Sequence, residues 1–250
     1  MPFASWCWGR MAKFASGVVF RRLLIKLSGE AFLGESAYGI SEEACAGIAL
    51  ELKRVVHLGV QVGLVVGGGN IFRGSETSAM ARPTADTMGM LATVINALAL
   101  AEALGMNQVK AEVHSALAIG GVVAPYDRKE ALRQLEDGHV VIFAGGTGNP
   151  FFTTDTAAVL RGLEVGADAV VKATKVDGIY SADPLVDKSA SRFSRLSFDE
   201  VLSLGLKVMD ATAFTLCREH QVPVCVVSMH KPGVLLRVVL GEEEGSWVGR

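Results

Sequence analysis

Short runs of Val, Ile and Leu, five to seven residues long, recur along this chain and alternate with stretches of helical period. They are Leu23–Leu27, Val60–Val66, Val109–Val113, Val140–Ala144, Ala167–Val171 and Val222–Val227. A strand that is apolar at successive positions must be covered on both faces, and strands separated by helices pair in parallel. Ser41 caps the first helix, which carries Glu42 and Glu43 in its first turn, Ile48, Leu52, Val55 and Val56 on its apolar face, and Gly59 as its stop. Thr84–Leu104 reads as a long helix, apolar nearly all round and so buried nearly all round. Arg128–Glu136 is a helix capped by Asp127 and stopped at Gly138; Asp155–Val165, Phe198–Leu204, Met209–His220 and Gly233–Leu240 are the others. The expected fold class is α/β, a three-layer α/β/α sandwich with a mainly parallel central sheet. In such folds ligands bind beyond the carboxyl ends of the strands.

A length of 250 residues is near the upper limit for one hydrophobic core, which fits one large domain or two intimate lobes. The formal net charge of −2 lacks the basic excess of a nucleic-acid binder, so no nucleic-acid partner is expected. Cys7, Cys45, Cys217 and Cys225 lie far apart without C-x-x-C spacing, which reads as buried reduced thiols in a cytoplasmic protein. The apolar segment 1–20 is interrupted by Arg10 and Lys13 and lacks a cleavage pattern. It reads as a flexible extension or a start assigned upstream of Met11, with the domain spanning 21–250. Met88–Ala101 is uncharged but shorter than the ~20 residues a bilayer span needs, so no membrane association is expected.

Four strand ends carry glycine or charge. Lys26-Leu27-Ser28-Gly29-Glu30 puts a lysine at the end of a buried strand, where it reaches phosphate oxygens or merely snorkels beside a turn. Gly67-Gly68-Gly69-Asn70 with Arg73 offers backbone N–H groups at a helix start, or a plain tight turn. It is neither a Walker A loop nor a dinucleotide fingerprint, since Phe72 stands where the last glycine would be. The third, Gly145-Gly146-Thr147-Gly148-Asn149-Pro150-Phe151-Phe152-Thr153-Thr154-Asp155, is dense in hydroxyls and amides for a phosphate, with Phe151 and Phe152 as a wall for a base. Asp155 stands where it can cap a helix and still face the cleft. The fourth runs from Lys172 to Pro184: Lys172 and Lys175 suit phosphates, Tyr180 an adenine ring, and the carboxylates a ribose, unless it is an ordinary charged loop. His57, His114, His139, His220 and His230 show no metal-ligand spacing, no metal site is expected within the chain itself, and no G-x-S-x-G is present. Lysines, an arginine and glycine-rich turns without an acid–base pair suit phosphoryl transfer, which needs positioning and charge neutralisation.

KLSGE, GGGN-x-F-R-G, D-x-MGM, GTGNPFFTTD, KATKVDG-x-Y-x-ADP and KVMD-x-x-AF occur in this order, and together they resemble the bacterial uridylate kinases of the amino-acid-kinase fold. The resemblance covers Arg21 to Gly245. It implies transfer of the γ-phosphoryl of ATP to UMP with Mg²⁺, in a domain with a UMP-binding N-terminal and an ATP-binding C-terminal lobe. It implies that Lys26, Leu27, Ser28, Gly29, Gly69, Arg73, Thr174, Tyr180 and Asp183 hold ATP. Gly68, Asp86 and the run Thr147, Gly148, Asn149, Pro150, Phe151, Phe152, Thr153 and Thr154 would hold UMP. Lys26, Arg73, Asp155, Lys172 and Lys175 would form the catalytic set, Asp155 organising the lysines. The family pattern also implies a homohexamer built from dimers, with GTP and UTP as effectors. The sequence departs from it at Thr87, where histidine is usual, and in a shorter segment between Arg73 and Asp86.

Two other readings of the same scaffold are an acyl-phosphate-forming kinase and a nucleotide-binding storage or regulatory protein. GTGNPFFTTD does not resemble an amino-acid or carbamate pocket, and the retained Lys26, Arg73, Asp155 and Lys172 speak for catalysis. For assembly, the uncharged helix suggests an outward face including Met90, Val94, Ala97 and Ala101 that meets the same helix of a second subunit.

Overall fold

The computed structural model describes residues 17–73, 80–184 and 186–249. The core strands are β1 (Arg22–Leu27), β2 (Gln61–Val66), β3 (Ala111–Ser115), β5 (Val140–Ala144), β6 (Ala169–Thr174) and β10 (Val224–Ser228), with ends within three residues of the apolar runs. With β4 (Ala124–Pro125), β9 (Arg195–Ser197) and β11 (Ser246–Gly249) they form one sheet in the order β4-β3-β5-β2-β1-β6-β10-β11-β9. Every pairing in it is parallel except β10 with β11. Strands β7 (Ile179–Tyr180) and β8 (Arg192–Phe193) make a separate antiparallel pair.

Helices α1 (Glu42–His57), α2 (Arg82–Met106) and α7 (Val234–Val239) cover one face, sharing a core with Leu23, Ile25, Leu64, Ile142 and Val171. Helices α3 (Arg128–Glu136), α4 (Thr154–Val165), α5 (Phe198–Ser203) and α6 (Ala211–His220) cover the other, around Leu24, Val65, Phe143 and Val170. Adjacent residues of one strand thus enter opposite cores, which is why these strands read as unbroken apolar runs. Caps act as the sequence suggests: Ser41 Oγ accepts the Ala44 N–H, and Asp127 Oδ1 the Glu130 N–H. Because neighbours of β1 lie to both sides in chain order, the sheet has its topological switch beside β1, where a ligand crevice opens.

Three expectations need correction. Val18, Val19 and Phe20 are buried, Val19 N–H bonds to Val239, and Phe20 stacks on Trp247 at 5.7 Å. The packed domain therefore begins by Val18; the rest of the expected extension, 1–16, lies outside the described residues, as does Cys7. The cap of α4 is Thr153, whose Oγ1 accepts the Asp155 N–H, while Asp155 sits in the first turn. The third concerns α2, whose expected outward face includes Met90, Val94, Ala97 and Ala101. Met90, Val94 and Ala97 are buried and Ala101 is packed against the core. The exposed stripe is Met88, Leu91, Ile95 and Leu98, 38–50% accessible. A helix apolar on every side gives no moment from which to read its rotation. By length and composition α2 is apolar enough to cross a membrane, yet Asn96, Ala97, Leu100 and Leu104 are completely buried in the domain.

Candidate active site

Lys26 and Lys172 occupy paired positions near the carboxyl ends of β1 and β6, so their side chains leave the same face of the sheet. Asp155, from the first turn of α4, reaches between them. Its Oδ2 accepts Lys172 Nζ at 2.7 Å, and Lys26 Nζ stands 3.0 Å from Oδ1 as an ion pair without hydrogen-bond alignment. Lys172 Nζ also donates to the Val208 carbonyl at 2.7 Å. Burial pushes the Asp155 carboxyl up, but Lys26 and Lys172 outweigh it and hold its pKa below the ordinary carboxylate value. A buried carboxylate thus fixes two ammonium groups side by side.

Glycine-rich turns flank this triad. A Cβ on Gly29 would lie 2.6 Å from Gly69 N, and one on Gly67 would lie 2.7 Å from Gly29 N, so these turns touch through bare backbone. Gly68 lies against α2, where a Cβ would meet Gly89 O at 2.6 Å. Asn70 and Asn96 exchange amide bonds of 2.9 and 2.7 Å in full burial, and Asn96 Nδ2 also donates to Gly67 O at 2.7 Å. Thr93 Oγ1 accepts the Gly145 N–H at 2.8 Å. Thr93 and Asn96 therefore pin both glycine turns to α2. Sequence reasoning passed over them; polar residues inside an otherwise apolar helix were the available signal.

The run Thr147–Thr153 forms a partly exposed loop between β5 and α4, and Thr154 opens the helix. Phe151 N–H bonds Asp86 Oδ2 at 2.7 Å, with Phe151 at φ 73°, and Arg82 Nε holds both Asp86 oxygens at 2.8 Å. Burial pushes the Asp86 carboxyl up, but the Phe151 N–H and Arg82 outweigh it and hold its pKa below the usual range. Asp86 thus ties the loop to α2, and Phe151 and Phe152 stand 65% and 50% exposed at its tip. At the loop's end Asp210, the α6 cap, accepts Thr153 Oγ1 at 2.5 Å and Thr156 Oγ1 at 2.9 Å. The KVMD segment therefore meets both halves of the site, Val208 at Lys172 and Asp210 at Thr153.

On the other side of β1 the ends of β6 and β10 border a cavity of about 560 Å³, lined among others by Ser28, Glu30, Thr174, Lys175 and Met229. Leu27 is fully buried, so only its backbone is available to a ligand. Thr174 Oγ1 closes a turn with Val176, and Tyr180 donates its hydroxyl to Asp177 at 2.6 Å. Asp183 lies on the exposed turn after β7. Lys175 does not join the triad; it is 3.0 Å from Glu30, which also accepts Arg73. Lys26, Lys172 and Asp155 are thus brought together, with Arg73 and Lys175 each paired to Glu30 in a second, outer set.

Among the described residues no three His, Cys, Asp or Glu gather as metal ligands, and Asp155 already faces two lysines. That donor set fits a cation carried by nucleotide phosphates rather than a protein cage. With fixed ammonium groups, bare backbone N–H turns and no acid–base pair, the arrangement can stabilise an anion that is transferred between two others.

The model of the Amino acid kinase family matches residues 21–228. The crystal structure of UMP kinase from Bacillus anthracis is 37% identical, with a TM-score of 0.89 over 92% of this chain and 96% of that one. UMP kinase from Ureaplasma parvum is 33% identical, with a TM-score of 0.87 over 92% of this chain and 99% of the other. Uridylate kinase from Archaeoglobus fulgidus is 28% identical, with a TM-score of 0.69 over 91% and 99%.

Proposed function

The chain belongs to the amino acid kinase family, and from that premise we propose that it transfers the γ-phosphoryl of ATP to UMP, yielding UDP and ADP in pyrimidine nucleotide biosynthesis. The observation that carries the reading is the Lys26–Asp155–Lys172 triad beside the Thr147–Thr154 loop. UMP lies on the N-terminal side, against Gly68 and the Thr147–Thr154 loop, which Asp86 holds to α2. ATP lies on the C-terminal side, against Lys26–Gly29, Gly69, Arg73, Thr174, Tyr180 and Asp183, next to the cavity at β6 and β10.

The UMP phosphate is already an ionised nucleophile, so no general base is required. Lys26 and Lys172, held by Asp155, offset the charge that builds between two anionic phosphates. Arg73 and Lys175 steady the polyphosphate from the rim. A Mg²⁺ ion carried by the ATP phosphates rather than by protein ligands would neutralise part of their charge, alongside Lys26, Lys172, Arg73 and Lys175. The protein is soluble and cytoplasmic in this reading and assembles through the exposed stripe of α2, with GTP and UTP as candidate effectors.

Initial rates with ATP and UMP, compared with CMP, acetylglutamate and carbamate, test the assignment. UDP formation should dominate. Turnover of acetylglutamate or carbamate instead would favour the acyl-phosphate reading, and nucleotide binding without turnover the storage reading.

A further inference from the structure

The site contains two carboxylates, each shared by two cations, and the two sets differ in burial. Asp155, with Lys26 and Lys172, is buried: its side chain is 11% accessible. Glu30, on the 3₁₀ turn Gly29–Phe32, accepts Arg73 Nη2 on Oε1 at 2.5 Å, and its Oε2 forms an ion pair with Lys175 Nζ at 3.0 Å. This outer set lies open, with the Arg73 side chain 43% and the Lys175 side chain 64% accessible. Its cations come from opposite sides of β1: Arg73 follows the glycine turn after β2, and Lys175 follows β6. One carboxylate spreading its oxygens between two such cations has the shape and charge of a pair of non-bridging phosphate oxygens.

We propose that Glu30 is a built-in phosphate surrogate, which holds Arg73 and Lys175 in position and is displaced from them by the polyphosphate of the nucleotide. This rests on the reading that Arg73 and Lys175 face the donor phosphates. Exposed ion pairs are individually weak, so a polyphosphate with several charges outcompetes one carboxylate. Asp155 cannot be exchanged in this way, because its withdrawal would leave two ammonium groups together in a buried setting. Glu30 remains charged while it competes: burial pushes its carboxyl up, and Lys175 and Arg73 outweigh that and bring its pKa below the ordinary value.

A surrogate and a structural brace predict opposite signs. Without the competing carboxylate, Glu30→Gln should bind inorganic tripolyphosphate and ADP about two- to thirtyfold more tightly than wild type, the range expected for loss of two exposed ion pairs. The KM for ATP should fall by a similar factor while the KM for UMP stays put. Glu30→Asp, which keeps the charge, should remain nearer wild type. Glu35→Gln removes a carboxylate lining the same cavity and should give a smaller gain. Calorimetric titration of the four proteins at one ionic strength reads these differences, with UMP binding reporting that each variant is folded. Unchanged or weaker binding by Glu30→Gln, or an equal gain in Glu35→Gln, would overturn the proposal while leaving the donor-site reading intact. A wild-type protein that binds neither tripolyphosphate nor ADP would end both.

Discussion

Lys26 is one of two ammonium groups on a single buried carboxylate, so its removal leaves Asp155 still paired through Oδ2 with Lys172. Lys26→Ala should therefore fold and bind UMP, yet lose ~10²–10³ in kcat, the typical cost of one preorganised charge in a transition state. Steady-state rates alongside a thermal melt check this; near-normal turnover in the folded variant would take Lys26 out of the chemistry. Asp86 belongs to a different economy of contacts, since its carboxylate bonds protein groups, Arg82 and the Phe151 N–H. Asp86→Ala frees the loop that carries Phe151 and Phe152. The KM for UMP should rise about ten- to a hundredfold, as for the loss of a hydrogen bond to a charged group, and the KM for ATP much less. Equal rises for the two nucleotides would make Asp86 a general support of the fold.

At the scale of elements, α2 is the beam to which the glycine turns are fastened. Asn96→Leu removes the amide that bonds Gly67 and Asn70 and leaves buried Asn70 with unmet polar groups, a cost of about 1–3 kcal/mol. Urea unfolding should show that loss, and both KM values should rise together if the turn after β2 borders both nucleotides as proposed; stability unchanged within error would mean that the amide pair is not holding the turn. The same helix marks what the sequence made legible. Strand runs and the caps Ser41 and Asp127 depend on nearest neighbours, and they lie where the periodicity put them. Lys26 with Lys172 was legible as two strand-end lysines, but their shared carboxylate depends on sheet register. The pairing of Asn70 with Asn96 and of Glu30 with Arg73 joins segments far apart in the chain, which no local pattern encodes. Strands β4, β7, β8, β9 and β11 are two to four residues long, too short to display a period. The misassigned cap of α4 has a similar cause, since Thr153 and Asp155 are both good capping residues and only the lysines decide which one turns inward.

For the molecule as a whole, the corrected rotation of α2 changes where an assembly contact belongs. Met88, Leu91, Ile95 and Leu98 recur at spacings of three and four, so they form one stripe along the outside of the helix. A stripe with the period of a two-helix seam, on a helix whose other faces are already packed, is suited to the same stripe of a second copy about a twofold axis. Ile95→Glu should therefore abolish self-association while leaving the fold intact, because the carboxylate becomes solvated once the subunits part. Ala97→Glu is the contrasting case: Ala97 is fully buried within the subunit, and an unpaired carboxylate there costs several kcal/mol and should unfold the chain. Light scattering and circular dichroism at micromolar concentration separate the two outcomes. A wild-type mass of one subunit would end the idea of a helix-mediated dimer, and an Ile95→Glu protein that keeps the wild-type mass would move the interface to another face.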